Sequence, residues 1–104
     1  MAASRSARVA AAGLPEGTDL DTAILDVVTR AEPSVGRTRA VEILRGGRSK
    51  VVVKYDYDGL PGYGAFAHLT NGEVLDRVDA LLSAGRLRST GGAYPKLAPV
   101  REAA

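Results

Sequence analysis

The feature that most constrains the fold is a capped helix between residues 70 and 85. Thr70 and Glu73 have the spacing of a capping box, in which the threonine hydroxyl accepts from the Glu73 amide and the glutamate reaches back. Apolar residues then recur at helical spacing, and Gly85 ends the segment. The segment therefore predicts an amphipathic helix whose apolar side consists of Val74, Leu75, Val78, Leu81 and Leu82.

A two-stranded hairpin is predicted directly after this helix. Residues 86–89 alternate polar and apolar side chains, residues 90–93 can turn the chain, and residues 94–97 return it. In such a hairpin Leu87 and Leu97 point into the core, whereas Arg88 and Lys96 face water.

Two further helices are predicted upstream. The first begins at Thr18, whose spacing from Asp21 suits an N-cap with an acid in the first turn, and it ends before Pro33. The second runs from about Gly36 to Arg45 and stops at a pair of glycines. It buries Ala40, Val41, Ile43 and Leu44, and its exposed side carries Arg37, Arg39 and Arg45.

Residues 49–56 fit two structures. Three consecutive valines and Tyr55 favour a strand, whereas the position after a glycine pair suits a short third helix. Three or four helices followed by a two-stranded wing predict a mainly α protein with a small β wing (α+β), a winged helix-turn-helix. We expect this domain at residues 18–100, between a disordered Ala/Arg-rich N-terminus at residues 1–17 and a C-terminal tail at residues 101–104.

Charge is arranged in alternating blocks along the chain. Residues 33–55 carry six bases against one acid, and residues 86–101 carry four bases and no acid. Residues 16–32 and 56–85 each have five acids against one arginine. Either these blocks form an ordinary surface of mixed charge, or the two basic segments converge in the fold on one polyanion.

Several classes of function find no support in the sequence. The chain has no cysteine, which excludes disulfides, thiolate zinc sites and a cysteine nucleophile. We find no phosphate loop of the Walker type and no nucleophile with a paired base, so we expect a non-catalytic domain without cofactor or metal. His68 stands alone, and Asp56 with Asp58 is weak evidence for a cation. We also expect a cytoplasmic, nucleoid-associated monomer with no membrane partner.

Four short runs carry a resemblance to a known family: residues 41–46 (Val-Glu-Ile-Leu-Arg-Gly), Ser49-Lys50, Tyr63-Gly64 and residues 81–87. From about Asp19 to Val100 the chain resembles the RecQ C-terminal (RQC) winged-helix domain of RecQ-family DNA helicases. The Ile-Leu-Arg-Gly run is the most specific element. The chain departs from the family pattern at Gly47, where a serine is frequent, and at Val74, where a large aromatic is common.

The resemblance implies a domain that grips duplex or forked DNA beside an ATP-driven helicase motor, in DNA repair, replication or recombination. It further implies that phosphates are held by the arginine of the Leu-Arg-Gly run and by the turn after it, and that an aromatic on the wing separates the terminal base pair. Carried onto this chain, the phosphate contacts are Arg45, Arg48, Ser49 and Lys50, and the wing residue is Tyr94.

The candidate DNA-binding residues thus lie on the second helix, on the turn after it and on the wing. They are Arg37, Arg39, Arg45, Gly47, Arg48, Ser49, Lys50, Arg88, Tyr94 and Lys96. We expect the glycine turn to offer phosphate the backbone amides of residues 46–48. An exposed helix end with solvated arginines is the plain alternative, and Tyr94 either stacks on a base or packs over the core edge.

Acidic side chains on the last helix bear on how DNA is read. Asp76 and Asp79 would repel phosphates, so we expect sequence-tolerant binding through the backbone rather than base reading. Two other functions remain open. One is a protein-interaction winged helix that docks a helicase or replication partner through residues 51–55 and the last helix. The other is a small transcriptional regulator.

Overall fold

Four helices and a two-stranded hairpin form residues 18–100, the part of the chain that the computed structural model describes. In chain order they are α1 (Leu20–Arg30), α2 (Arg37–Arg45), α3 (Lys50–Lys54), a 3-10 turn (Tyr57–Gly59), α4 (Asn71–Ser83), β1 (Leu87–Ser89) and β2 (Leu97–Pro99). The predicted winged-helix α+β fold is confirmed. The predicted disordered N-terminus and C-terminal tail, residues 1–17 and 101–104, lie outside the described residues.

One apolar core lies between α1, α2, α4 and the wing. The helices contribute their apolar faces because their aliphatic residues recur at helical spacing. The largest fully buried side chains are Ile24, Ile43, Leu44, Leu87, Leu97, Val27, Val52, Val74 and Val78. Leu87 and Leu97 bring both strands of the wing into this core, as predicted.

The two longest helices, α1 and α4, begin at side-chain caps. The capping box of α4 is confirmed, since Glu73 N donates to Thr70 Oγ1 at 3.1 Å and Thr70 N donates to Glu73 Oε1 at 2.8 Å. The prediction that Thr18 caps α1 is wrong by one residue. Asp19 is the N-cap, because its carboxylate accepts from Thr22 N at 2.8 Å, and hydrogen bonds from Thr22 lower the pKa of Asp19.

Residues 50–54 are helical, which decides between the two structures that the sequence left open. Ser49 caps α3 by accepting from Val52 N at 3.4 Å. In this single helical turn Val52 points into the core, whereas Val53 is 58% exposed. The described sheet contains β1 and β2 alone, so residues 50–54 have no strand to pair with.

The wing is an antiparallel hairpin that rests on the start of α2. Leu87 lies opposite Pro99 and Ser89 opposite Leu97. Leu97 N donates to Val35 O at 2.7 Å, which ties β2 to the residues just before α2. Pro95 O lies 2.8 Å from the position that a Cβ on Gly36 would take, so a side chain at residue 36 would push the wing away.

Candidate nucleic-acid interface

The turn between α2 and α3 is closed by hydrogen bonds within the protein. Gly46 adopts a left-handed conformation (φ 80°) that ends α2, as glycine does at many helix ends. Its amide donates to Ile43 O, and the Gly47 amide donates to Glu42 O. The expectation that these two amides are available to a phosphate is therefore wrong, because they complete the C-terminus of the helix.

The half-buried side chain of Glu42 links α2 to the end of the same turn. Its carboxylate accepts a hydrogen bond from Arg39 and another from Ser49 N, the latter at 3.1 Å. Burial alone would raise the pKa of Glu42, but the hydrogen bonds from Arg39 and Ser49 outweigh burial and hold this pKa below its usual value. The sequence alone did not predict this role of Glu42. The spacing of three residues from Arg39 was a local signal for the ion pair, whereas nothing local pointed to Ser49.

Arg45 joins the end of α2 to the start of α4. Its Nε donates to Leu69 O at 2.6 Å and its Nη1 donates to Asn71 Oδ1 at 3.0 Å. Arg39 is held in a similar way, since its Nη1 donates to Ser49 Oγ at 3.0 Å besides pairing with Glu42. The expectation that Arg39 and Arg45 lie on a freely exposed side of α2 is wrong, because both are half-buried and hydrogen-bonded to neighbouring elements.

Arg37 is exposed, as expected, but it forms a two-point ion pair with α4. Its Nε and Nη2 donate to the two carboxylate oxygens of Asp79 at 2.8 and 3.1 Å. Arg77 pairs with Asp21 of α1 in the same manner. Asp79 is thus balanced by a cation, while Asp76 stays exposed on α4 without a partner in the described residues.

Four of the predicted cations remain open to solvent. Two are on the turn, Arg48 and Lys50, and two are on the wing, Arg88 and Lys96. In residues 18–100 none of the four side chains has a recorded hydrogen bond or ion pair. They can therefore bind an external anion without breaking an internal contact.

Arg39 lies between the turn and the wing. It donates to Ser49 at the end of the turn, and it lines two surface clefts together with Lys96 of the wing. One of those clefts continues to Val51 and the other to Tyr94. Arg45 lies apart from them, in a third cleft with Thr38, Glu42, Asn71 and Leu75 among its lining residues.

Two tyrosines take different positions around these clefts. Tyr94 is 84% exposed on the wing, so it does not pack over the core edge. Tyr63 is half-buried, and its hydroxyl donates to Gly46 O and Gly47 O at 3.0 Å each. These contacts fix the backbone of residues 46 and 47.

Residues 18–100 contain no group of three or more His, Asp or Glu side chains placed to hold a metal ion. Their helices include none with the length and apolar character needed to span a bilayer.

Comparison with known protein families identifies the family of this chain. The model of the RQC domain family matches residues 14–104, which is nearly the whole chain. The chain belongs to the RQC family. This RQC domain is also 28% identical over 74 residues to the ATP-dependent DNA helicase RecQ of Bacillus subtilis (strain 168). That alignment covers 71% of this chain and 12% of the helicase. No solved structure matches this RQC domain significantly.

Proposed function

We propose that this RQC domain binds duplex or forked DNA through the phosphate backbone, with or as part of a RecQ-like helicase in DNA repair or replication. The observation that carries the proposal is a set of four unpaired cations on the turn and the wing, the two segments that Arg39 links through Ser49 and through the clefts it shares with Lys96. Arg48 and Lys50 lie on the turn, and Arg88 and Lys96 lie on the wing. Flexible, unpaired cations are the side chains that neutralise DNA phosphates without reading sequence.

The candidate residues divide into two roles in this proposal. Arg37, Arg39 and Arg45 hold α2 against its neighbours, and Gly47 with Ser49 shapes the turn. The DNA contacts come from the four open cations. Asp76 on α4 opposes close approach of phosphates to that helix, which favours sequence-tolerant binding over insertion into the major groove.

Tyr94 completes the proposed interface. Tyr94 is 84% exposed on the wing, so its side chain can change orientation without losing contacts with the core. Its ring can then stack on the last base of an opened duplex. Lys96 lines the same cleft and would hold the adjacent phosphate. ATP hydrolysis is the work of a separate motor domain in this proposal, and the RQC domain supplies the grip on DNA.

Fluorescence anisotropy with a labelled fork, a duplex and a single strand, each at several salt concentrations, tests the proposal. Four to six phosphate contacts give a slope of log K against log salt of about −4 to −5. The variant R48A/K50A removes two open cations and should weaken binding to all sequences alike, with a slope shallower by about 2. The control R30A/K54A also removes two positive charges, but from cations that already have partners. Arg30 is paired with Asp26, and Lys54 lies over the ring of Tyr55.

The proposal requires the two double variants to differ. If R30A/K54A lowers the affinity and the slope as much as R48A/K50A does, binding depends on net charge alone. If R48A/K50A binds as the unaltered domain does, the turn makes no contact with DNA.

A second candidate function, docking to a protein partner, is favoured by exposed apolar residues on α3 and at its end. Val53 of α3 is 58% exposed, and Tyr55, the C-cap of this helix, is 40% exposed. In this proposal the occupant is the motor domain of a RecQ-like helicase. Titrating that motor domain into the variant V53S/Y55S should show weaker association than with the unaltered domain, and equal affinities would remove this candidate.

A further inference from the structure

The carboxylate of Glu42 lies where an external anion would be expected to bind. An arginine guanidinium and a backbone amide are typical donors to a phosphate, and here Arg39 and the Ser49 amide both donate to Glu42. The Arg39 and Glu42 side chains are 34% and 21% exposed, so the position opens to the surface. Glu42 is the one acid in the basic block of residues 33–55.

Gly47 makes room for this arrangement. A Cβ on residue 47 would lie 2.3 Å from Glu42 Cγ and 2.8 Å from Glu42 Oε2, so a side chain there would displace the glutamate. The backbone of Gly47 is not in the left-handed region, so other residues can adopt its conformation. The glycine is therefore required by Glu42 and not by the course of the chain.

We propose that Glu42 is an internal competitor of DNA, which occupies the anion position formed by Arg39 and the Ser49 amide and so limits the affinity of the domain. This inference rests on the proposed backbone binding of DNA. The carboxylate cancels the charge of Arg39 and repels a phosphate that approaches Ser49. Removing its charge, or displacing it, frees Arg39 as a further open cation, which contacts the turn at Ser49 and shares two clefts with Lys96.

Two variants test the inference by independent routes. E42Q removes the charge but keeps an oxygen that can accept from Ser49 N. G47S keeps every charge and displaces the Glu42 side chain. Each should gain about one phosphate contact, which corresponds to a slope steeper by about 0.9 and an affinity roughly five to ten times higher near 0.1 M salt. Thermal unfolding measured first shows that each variant is folded.

Arg39 and a second glutamate provide the controls. R39A alone leaves the Glu42 carboxylate without its cation and should weaken DNA binding, whereas R39A added to E42Q or G47S should abolish the gain of those variants. E32Q removes the charge of an exposed glutamate and should leave the slope unchanged. The inference is overturned if E42Q and G47S bind no more tightly, if their gain survives R39A, or if E32Q reproduces it.

Inorganic phosphate separates this inference from the proposed function. Phosphate should raise the melting temperature of E42Q and G47S more than that of the unaltered domain, by occupying the vacated position. If no form of the domain binds DNA, the proposed function fails and the phosphate measurement still decides the role of Glu42. If DNA binding is salt-dependent but neither variant gains, the proposed function stands and the inference fails.

Discussion

The arginines of α2 act mainly inside the protein. Arg37 pairs with Asp79, which is 42 positions away, and Arg45 donates to Leu69 and Asn71. A sequence shows that such side chains are charged and on a helix surface, but their partners lie on elements that only the fold brings near. The sequence therefore predicted that α2 is basic, but not which of its arginines form hydrogen bonds and ion pairs within the protein.

Replacing Arg45 tests its structural role. R45A should lower the free energy of unfolding by about 1–2 kcal/mol, because it leaves the half-buried carbonyl of Leu69 without its charged donor. Urea denaturation measures the change, with R48A as the control that should stay within about 0.5 kcal/mol. An R45A domain as stable as R48A would show that the link between α2 and α4 carries no stability.

The ionisation of Glu42 should appear in the dependence of stability on acid. Hydrogen bonds from Arg39 and Ser49 hold its pKa below the ordinary value of 4.5, so the unfolded state binds more protons as this carboxyl titrates. The stabilisation is present above about pH 4.5 and is lost as pH falls through the lower, folded pKa. Urea denaturation from about pH 6 to pH 3 should show a smaller loss of unfolding free energy for E42Q than for the unaltered domain. Equal losses in the two proteins would contradict a lowered pKa of Glu42.

At the scale of helices and strands, local signals predicted most of the fold. The capping box of α4, the glycine end of α2 and the alternation of residues 86–89 each depend on neighbours within a few positions, and each formed as expected. Residues 50–54 could not be assigned in this way. Valine propensity favours a strand, and the choice was made by the absence of a pairing strand in the described sheet and by the Ser49 cap.

The capping box should contribute measurably to stability. T70A removes the hydroxyl that accepts from Glu73 N and should cost about 1 kcal/mol of unfolding free energy. T29A is the matched control, because Thr29 lies inside α1 and its hydroxyl only donates to Leu25 O of the same helix. Denaturation curves should place T29A within about 0.5 kcal/mol of the unaltered domain. A T70A curve that coincides with T29A would contradict the role of the cap.

The wing should act on DNA ends more than on duplex. Because Tyr94 is 84% exposed, the unfolding free energy of Y94A should stay within about 0.5 kcal/mol of that of the unaltered domain. In the proposed role its loss should reduce opening of a forked terminal pair, followed with a fluorescent base analogue, more than it reduces duplex affinity. Equal losses in both assays would remove the tyrosine from strand separation.

For the whole molecule, the important property is that two basic segments far apart in sequence meet around one residue. The alternating charge blocks were visible in the sequence, but they allowed a surface of mixed charge as well as a single basic region. Arg39 touches the turn at Ser49 and shares two clefts with Lys96 of the wing. That meeting depends on how the wing rests on α2, which no local pattern encodes.

A titration of the isotopically labelled domain with a short duplex, followed by NMR, tests most directly whether turn and wing form one DNA-binding surface. The amide resonances of Arg48, Lys50, Arg88 and Lys96 should shift together and fit one dissociation constant, while those of Arg30 on α1 stay in place. Shifts confined to one of the two segments, or two different dissociation constants for them, would contradict a single surface.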